Sequence, residues 1–563
     1  MNRPSVAPMI RNLFALFALA VAQPVLAEGG AVSAADPRAS AAGQEILRAG
    51  GSAADAAMAM MLALTVVEPQ SSGIGGGGFI LYHDAKTGRL GTVDGREKAP
   101  KSATPELFLT PEGKPLGFLQ AFPGGKSVGV PGNIRLMERV HARWGKLAWG
   151  KLFQPAIKLA EEGYTVSGPT AGLLRTLAPI WKDFPAARAI YWNGDRPKTV
   201  GETVKNPALA AMLRRVAKGG ARSFYSGQTA KAITDAVAGS ARNPTALTVA
   251  DLAAYRAIDR AAVCRPYRQY KVCGMGPPSS GATTVLQMLG MIERFDMKAL
   301  GPDNATSWHV IAEAMLLAYA DREKYLGDPG FVKVPVAGLL DPAYVKMRSA
   351  LISETTSLAK YEAGIPPGAE PRTAAISSEV AGTTHFVAVD GTGNVASMTS
   401  TIEGPFGSQL IADGMFLNNE LTDFTFAPVK NGAPVANAVA AGKRPLSSMS
   451  PTIVYGPDGK VVLAVGSAGG KRIIMHVMKS LVGVLDWGLP AKDALALPNI
   501  YFGGDAILVE RETKLSAMQN NLAALGRTVV SADLPSKLNA VERTADGWRG
   551  AADPRSRGEA LSE

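Results

Sequence analysis

Histidine and cysteine are scarce in this sequence. Its 563 residues include five histidines and two cysteines, and none of the histidines lies in a recognisable serine–histidine–aspartate setting. Histidine therefore has no evident place as a general base. Cys264 and Cys273 lack the C-x-x-C spacing of redox motifs, so neither is a candidate nucleophile. They form either a cross-strand disulfide, which an oxidising compartment permits, or a pair of buried free thiols.

Long apolar runs are missing beyond the N-terminus. The run 58–67 is too short to span a bilayer, which takes about 18 apolar residues, and it is typical of a buried helix. Residues 1–27 have a positively charged start, a short apolar core and a small-residue cleavage site at Ala27, as secretory signals do. The sequence therefore predicts an exported, periplasmic or secreted protein whose mature chain begins near Glu28 and has no membrane span.

Clustered positive charge is missing too. The formal net charge is +11 and falls to +9 when the two arginines of residues 1–27 are removed, but the basic residues are scattered along the chain. Scattered charge indicates a generally basic surface rather than a footprint for nucleic acid. No group of side chains has the spacing of a metal site, so the sequence predicts none.

The most informative tract covers residues 382–390, Gly-Thr-Thr-His-Phe-Val-Ala-Val-Asp. It places the hydroxyl of Thr383 directly after a glycine, at the start of a strand-like alternation. A threonine hydroxyl needs a neighbouring base, and its own α-amine becomes that base once the preceding peptide bond is cut. Cleavage between Gly382 and Thr383 would therefore create a self-sufficient nucleophile. The alternative is that Thr383 and Thr384 are ordinary β-branched strand residues. His385 is expected to pack structurally.

Strand and helix patterns together are typical of a layered α+β protein. Three β-hairpins are predicted: 79–83 with 90–94, 384–389 with 395–401, and 452–455 with 461–466. Helices are predicted over 57–67, 206–218, 307–326 and 473–485, and capping-box starts at Ser52 and Thr248. No linker separates two folded halves. The one loosely composed segment, 361–382, ends at the proposed cut.

Three further tracts favour a ligand site or close packing. The glycine run 72–79 precedes a strand without the Lys-Ser/Thr or the helix of a phosphate-binding loop, which favours close backbone packing. Ser447 and Ser448 put paired hydroxyls ahead of a strand, where they suit an anionic ligand. Gly469 and Gly470 precede a predicted helix, and their N–H groups suit an oxyanion. Each tract taken alone is also compatible with a structural turn.

Taken together and in order, these tracts resemble the γ-glutamyltranspeptidase family of N-terminal-nucleophile hydrolases. The resemblance covers nearly the whole mature chain. Its tracts are 72–79, 94–100, 128–132, 277–281, 382–390, 417–424, 444–452, 469–470 and 552–555. It implies a four-layer αββα sandwich made of two chains, a large one of residues 28–382 and a small one of residues 383–563 that begins with the nucleophile.

The resemblance also implies the chemistry. Thr383 would be the nucleophile, Thr401 its hydrogen-bond partner and an aid to processing, and Gly469 and Gly470 the oxyanion hole. The implied reaction cleaves a γ-glutamyl amide such as glutathione through a threonyl ester. Water or an acceptor amino acid or peptide resolves that ester, and neither a metal nor an organic cofactor takes part.

The same resemblance implies which residues bind the substrate's α-amino-acid head group. Its α-carboxylate would meet Arg96, Ser447 and Ser448, since a guanidinium fork and two hydroxyls suit a carboxylate. Its α-ammonium would meet Glu420 and Asp423.

Two departures from the family pattern bear on the substrate. Glu403 stands where many members have asparagine, which adds a carboxylate near the α-amino end. The stretch 424–443 is short and has no aromatic residue beyond Phe426 to cover the pocket, so an open pocket that favours bulkier substrates or water is expected. Two other interpretations stay open: a cephalosporin or glutaryl-amide acylase, which need not recognise an α-amine, and a non-catalytic exported protein that binds an amino acid.

Overall fold

A computed structural model describes Met1, residues 29–375, Val380 and residues 382–562. The predicted signal, apart from Met1, lies outside the described residues. Two antiparallel sheets stack face to face, and helices cover the outer face of each. This is the four-layer αββα sandwich expected from the sequence. Among the helices of the described residues, none is long and apolar enough to cross a membrane.

The first sheet has seven strands and carries the predicted nucleophile. Its spatial order is Glu559–Ser562, Ala31–Ala34, Thr384–Val389, Val395–Thr401, Gly77–Asp84, Arg89–Asp94 and Ile258–Asp259. Thr384 pairs with Ser400, which places Thr383 beside Thr401 at the ends of two central strands. Strands from both sides of the proposed cut therefore share this sheet.

The second sheet has six strands. Their order is Gly547–Ala552, Asn539–Thr544, Val461–Gly466, Thr452–Tyr455, Tyr270–Gly274 and Val263–Tyr267. The edge hairpin carries Cys264 and Cys273 directly opposite each other, and they form a disulfide with a Cα–Cα distance of 4.1 Å. The cross-strand bridge is confirmed, and the alternative of free thiols is wrong.

Alternation along the strands divides the core into layers. On the strand Gly77–Asp84, Phe79 and Leu81 pack between the two sheets, whereas Ile80 and Tyr82 pack against the outer helices. A sheet with two apolar faces needs a cover on each side, and the second sheet supplies one cover and the helices the other.

The helices form the two outer layers. Those on the side of the first sheet include Pro37–Arg48, Ala53–Val67, Asn133–Trp144, Gln154–Glu162, Gly168–Leu177, Pro207–Gly219, Gly227–Ala238 and Val249–Ala254. Those on the side of the second sheet include Gly281–Ile292, Ala305–Tyr325, Pro342–Ser349, Ile473–Leu485 and Ala491–Ala496. A small three-stranded sheet of Ile500–Gly503, Ala506–Glu510 and Val529–Ala532 lies beside the second group.

The predicted hairpins and long helices are confirmed, with small shifts at their ends. The strands 384–389, 395–401, 452–455 and 461–466 and the helix 473–485 have the predicted bounds. The helix predicted over 307–326 begins earlier, at Ala305, because the Asn304 side chain accepts a hydrogen bond from its first turn. Capping boxes begin at Ser52 and Thr248 as predicted.

Candidate active site

Glycines bring neighbouring backbone close to the end of the strand that carries Thr401. A Cβ added at Gly75 would lie 1.9 Å from the Phe416 carbonyl oxygen, and one at Gly76 would lie 2.0 Å from the Thr401 carbonyl oxygen. No side chain fits at those distances. The run 72–79 therefore serves close backbone packing, as predicted.

Thr383 lies just before the strand Thr384–Val389 and turns its hydroxyl to Thr401. It donates to Thr401 Oγ1 across 3.1 Å, and that oxygen also accepts from the Glu403 amide at 2.7 Å. Thr383 is 4% exposed and has a φ of +76°, a left-handed conformation that is strained for a β-branched residue. The Thr383 hydroxyl is thus held in place, and the backbone is strained at the predicted cleavage position.

Gly382 precedes Thr383 in a space that admits no side chain. A Cβ there would lie 1.6 Å from the Glu403 carbonyl oxygen. The Gly382 amide donates to the Val380 carbonyl at 3.0 Å, and the Thr383 amide donates to the Ser71 carbonyl at 2.9 Å. The peptide bond between Gly382 and Thr383 is therefore confined on both sides.

Arg96 forms a buried ion cluster with two carboxylates. Its Nη1 pairs with Glu420, and its Nη2 lies 2.5 Å from Asp423 Oδ2. Its Nε and Nη2 also donate to the carbonyls of Pro445 and Leu446, at 3.2 and 2.7 Å. Burial opposes the positive charge, but the carboxylates outweigh burial and raise the pKa of Arg96 above its ordinary value. Burial also raises the pKa of Glu420 well above its ordinary value, although Arg96 opposes the change. One guanidinium and two carboxyl groups thus lie side by side inside the protein.

Glu97 is a third carboxyl residue beside Arg96, and it is not among the site residues predicted from the sequence. Its side chain is fully buried, and its Oε2 lies 3.8 Å from Arg96 Nη1. Burial raises the pKa of Glu97 to about 8, although Arg96 opposes the change. Its position next to Arg96 in the tract 94–100 was an available signal.

Glu403 contacts the segment that precedes the proposed cut. Its Oε1 accepts a hydrogen bond from the Val380 amide at 2.8 Å, and its Oε2 accepts one from the Asn419 side chain at 2.6 Å. The carboxylate therefore lies between the cleavage segment and the turn that carries Glu420 and Asp423.

The two serines are held by a neighbouring turn and by a buried arginine. The Ser447 carbonyl accepts from the amide and the hydroxyl of Ser280, at 2.7 and 2.8 Å. The Ser448 hydroxyl accepts from Arg322 Nη2 at 2.7 Å. Arg322 was also missed, because it lies in the helix Ala305–Tyr325, more than a hundred positions from the serines in sequence.

Gly469 and Gly470 precede the helix Ile473–Leu485, and Gly470 begins the short turn Gly470–Arg472 that leads into it. The turn before them is fixed by His476, whose Nδ1 lies 3.0 Å from Ser467 Oγ and 3.2 Å from the Ala468 carbonyl oxygen. Burial lowers the pKa of His476 to about 3, so the ring is neutral at physiological pH. A helix N-terminus, whose first amides have no acceptor within the helix, suits a developing negative charge.

His385 is a packing residue, as expected. It is buried, its Nδ1 lies 2.8 Å from Thr399 Oγ1, and a Cβ added at Gly466 would lie 2.4 Å from its ring. Burial lowers its pKa to about 3, so the ring is neutral and enclosed between the strands.

One cavity brings most of the predicted site residues together. Its described lining residues are Arg96, Val380, Thr383, Thr401, Glu403, Glu420, Asp423, Ser447, Ser448, Met449, Gly470 and Ile473. Gly382 and Gly469 adjoin Thr383 and Gly470 in the chain. The lining residues within the described part of the chain include none from 424–443, and Phe426 of that stretch stacks on Phe108 with ring centroids 4.5 Å apart.

The fold and the site define the class of protein. A buried threonine follows a glycine at the start of a central strand of an αββα sandwich, and a second threonine holds its hydroxyl. This arrangement is that of an N-terminal-nucleophile hydrolase. The family model for gamma-glutamyltranspeptidase matches residues 39–562, and the chain belongs to that family.

Relatives of both enzyme types considered from the sequence are found. The glutathione hydrolase proenzyme of Escherichia coli (strain K12) is 37% identical, over 95% of this chain and 92% of that protein. The acylase ACY 1 proenzyme of Pseudomonas sp. (strain SE83) is 34% identical, over 94% of each chain. The crystal structure of cephalosporin acylase from Bacillus halodurans has a TM-score of 0.84 and 27% identity, and the match covers 100% of this chain and 99% of that one.

Proposed function

We propose that this protein is an autoprocessed γ-glutamyltranspeptidase that cleaves glutathione and other γ-glutamyl amides. The observation that carries the proposal is the single cavity that joins the Thr383 hydroxyl to the buried cluster of Arg96, Glu420 and Asp423. A γ-glutamyl group carries its carboxylate and its ammonium on one carbon. A guanidinium placed beside two carboxyl groups is complementary to that pair of charges.

The head group would bind by exchanging ion pairs. Its carboxylate binds the Arg96 guanidinium and the hydroxyls of Ser447 and Ser448. Its ammonium binds the carboxyl groups of Glu420 and Asp423, and Glu403 lies beside them. Because the arriving charges replace pairs that already exist, no isolated charge is left buried. The free-energy cost of removing water from the charged head group is therefore lower than burial of isolated charges would imply.

In this proposal Thr383 forms the covalent γ-glutamyl ester in the first step and is released from it in the second. Its free α-amine accepts the hydroxyl proton as Oγ1 attacks the γ-carbonyl carbon. The N–H groups of Gly469 and Gly470 stabilise the oxyanion, and the amine leaves with the proton. Water, or an acceptor amino acid or peptide, then attacks the γ-glutamyl ester and restores the threonine.

Processing is proposed at the bond between Gly382 and Thr383, which gives a large chain of residues 28–382 and a small chain of residues 383–563. The strained φ of Thr383 and its hydrogen bond to Thr401 support this position. Because Ala31–Ala34 pairs with Thr384–Val389, the two chains would stay associated as a heterodimer.

Denaturing gels and N-terminal sequencing test the processing step. The wild-type protein is expected to show two chains, with the smaller beginning at Thr383. Thr383→Ala is expected to stay a single chain, whereas the matched control Thr384→Ser is expected to be cut. A wild-type protein that is active as one chain would refute the mechanism.

The acylase interpretation is the second candidate, and it is favoured by the similarity to ACY 1 and to the Bacillus halodurans cephalosporin acylase. Release of chromophore from γ-glutamyl- and glutaryl-anilides separates the two, because the glutaryl compound lacks the α-amine. We expect a strong preference for the γ-glutamyl compound, and a loss of that preference in Asp423→Asn. Equal or better turnover of the glutaryl compound would favour the acylase. Turnover of neither would favour a binding protein.

We also infer that the protein is exported, on the basis of the signal-like residues 1–27 and the disulfide between Cys264 and Cys273. Cell fractionation and N-terminal sequencing of the large chain test this. A periplasmic protein that begins near Glu28 is expected. A cytoplasmic protein that retains residues 1–27 would contradict it.

A further inference from the structure

The last turn of the helix Ala305–Tyr325 contacts the segment that carries the two serines. Arg322 is 1% exposed and donates from Nη2 to Ser448 Oγ at 2.7 Å and from Nε to Ser280 Oγ at 2.9 Å. Ser280 in turn donates to the Ser447 carbonyl. One guanidinium therefore fixes the positions of both serines, directly for Ser448 and through Ser280 for Ser447.

This contact sets the direction in which the Ser448 hydroxyl donates. A hydroxyl has one hydrogen and two lone pairs. Because Arg322 has only donors, the Ser448 oxygen accepts from it, and the hydroxyl hydrogen is directed away from the guanidinium. Ser448 lines the cavity of Thr383, so a ligand there meets a hydroxyl that is held as a donor. A carboxylate accepts only, and it is therefore the matching ligand.

The next residue along the helix reaches the oxyanion turn. Glu323 Oε1 lies 2.8 Å from Arg322 Nη1 and 2.9 Å from Lys471 Nζ, and Lys471 directly follows Gly470. Tyr319, one turn earlier, donates to the Lys471 carbonyl at 2.5 Å. The side chains of Glu323 and Lys471 are each 12% exposed, so water screens this pair less than it screens a surface pair.

We propose that Arg322 is a positioning residue that directs the Ser448 hydroxyl at the substrate's α-carboxylate, and that Glu323 ties the same helix turn to the oxyanion turn through Lys471. The inference rests on the proposed function, because that carboxylate belongs to the γ-glutamyl group. One helix turn then positions two parts of the site. Ser448 binds the substrate's α-carboxylate in the ground state, and the oxyanion turn stabilises the negative charge that develops in the transition state.

The two parts predict different kinetic effects. Arg322→Lys keeps a positive charge but loses the fork that reaches two hydroxyls, so KM for a γ-glutamyl anilide is expected to rise about tenfold to a hundredfold. Glu323→Gln loosens the oxyanion turn, so kcat is expected to fall about tenfold with little change in KM. Arg294→Lys and Glu510→Gln are matched controls that should keep wild-type kinetics. Arg294 donates to Ser349 at 3.1 Å, and Glu510 pairs with Arg555 at similar exposure.

A ligand that lacks the α-carboxylate separates positioning from general damage. Competitive inhibition by L-glutamate is expected to weaken in Arg322→Lys about as much as KM rises, whereas inhibition by 4-aminobutanoate stays unchanged. Ser448→Ala should give the same selective loss while leaving the guanidinium in place, and the double variant should lose little more. Ser448→Ala also tests the inference if Arg322→Lys does not fold.

Three outcomes would overturn the inference. Equal weakening of both inhibitors would show a structural effect, and additive losses in the double variant would show that Arg322 does not act through Ser448. Wild-type kinetics in Glu323→Gln would remove the link to the oxyanion turn. A wild-type protein that is inert toward the γ-glutamyl anilide would instead refute the proposed function, and the inference with it.

Discussion

Replacing Glu97 by glutamine is expected to change how the stability of this protein depends on pH. Glu97 is fully buried beside Arg96, and burial raises its pKa from an ordinary 4.5 to about 8. Between those values the unfolded chain ionises the carboxyl while the folded protein keeps it protonated. The folded state then binds more protons, so stability falls as the pH rises through this window and is highest below it.

The size of the effect follows from the width of the window. The interval from 4.5 to about 8, at about 1.4 kcal/mol for each pH unit, sets an upper limit of about 5 kcal/mol in the free energy of unfolding. It is a limit because Glu97 interacts with Glu420, whose pKa the Glu97 charge also raises. Glutamine has the shape of the protonated acid and does not titrate. Glu97→Gln should therefore gain stability relative to the wild type as the pH rises, by up to about 5 kcal/mol at pH 8.

The measurement needs a single chain, because dissociation of a cleaved protein would complicate unfolding. Urea unfolding followed by circular dichroism in the Thr383→Ala background, at pH 5, 6, 7 and 8, provides it. The difference between Glu97→Gln and its parent reports this carboxyl together with its effect on Glu420, while the contributions of distant titrating groups cancel. Glu138→Gln, at an exposed ion pair with Arg135, is the control. Parallel pH curves for Glu97→Gln and its parent would refute the argument from burial.

Three further predictions concern processing, catalysis and the disulfide. Gly382→Ala is expected to stay a single chain on denaturing gels, because its Cβ would lie 1.6 Å from the Glu403 carbonyl oxygen; normal cleavage would contradict that contact. Thr401→Val removes the acceptor 3.1 Å from the Thr383 hydroxyl, so the cleavage rate and kcat should fall about tenfold, and unchanged rates would deny it a role. Cys264→Ser opens a bridge between positions nine apart and should cost about 2–3 kcal/mol of unfolding free energy by urea titration; an unchanged midpoint would argue against it.

The secondary structure was largely predictable because its signals are local. The hairpin 384–389 with 395–401 has its predicted bounds, since alternation and a turn of glycine and aspartate act over a few residues. Helix ends were less predictable: the helix that begins at Ala305 was predicted to begin at 307. Its cap at Asn304 depends on side-chain geometry rather than on the apolar pattern. The disulfide stayed open from the sequence, since it depends on strand register.

The candidate site was predictable in part. The tracts around Thr383, Arg96 and Ser447 were found because each is unusual in composition and because they occur in a recognisable order. Glu97 and Arg322 were missed. Glu97 had one local signal, its place beside Arg96 in the tract 94–100. An arginine inside a helix, such as Arg322, has no distinguishing local pattern, and only its neighbours in space give it significance.

The sequence by itself determined the strand and helix pattern and a hydroxyl placed after a glycine at the start of a strand. Alternation, capping and turn chemistry act between residues a few positions apart. Only the tertiary structure decided that Arg96 meets Glu420, 324 positions away, and that Arg322 meets Ser448, 126 positions away. These contacts form because stacked sheets and their covering helices exclude water, and a buried charge then requires a partner from whichever segment lies beside it.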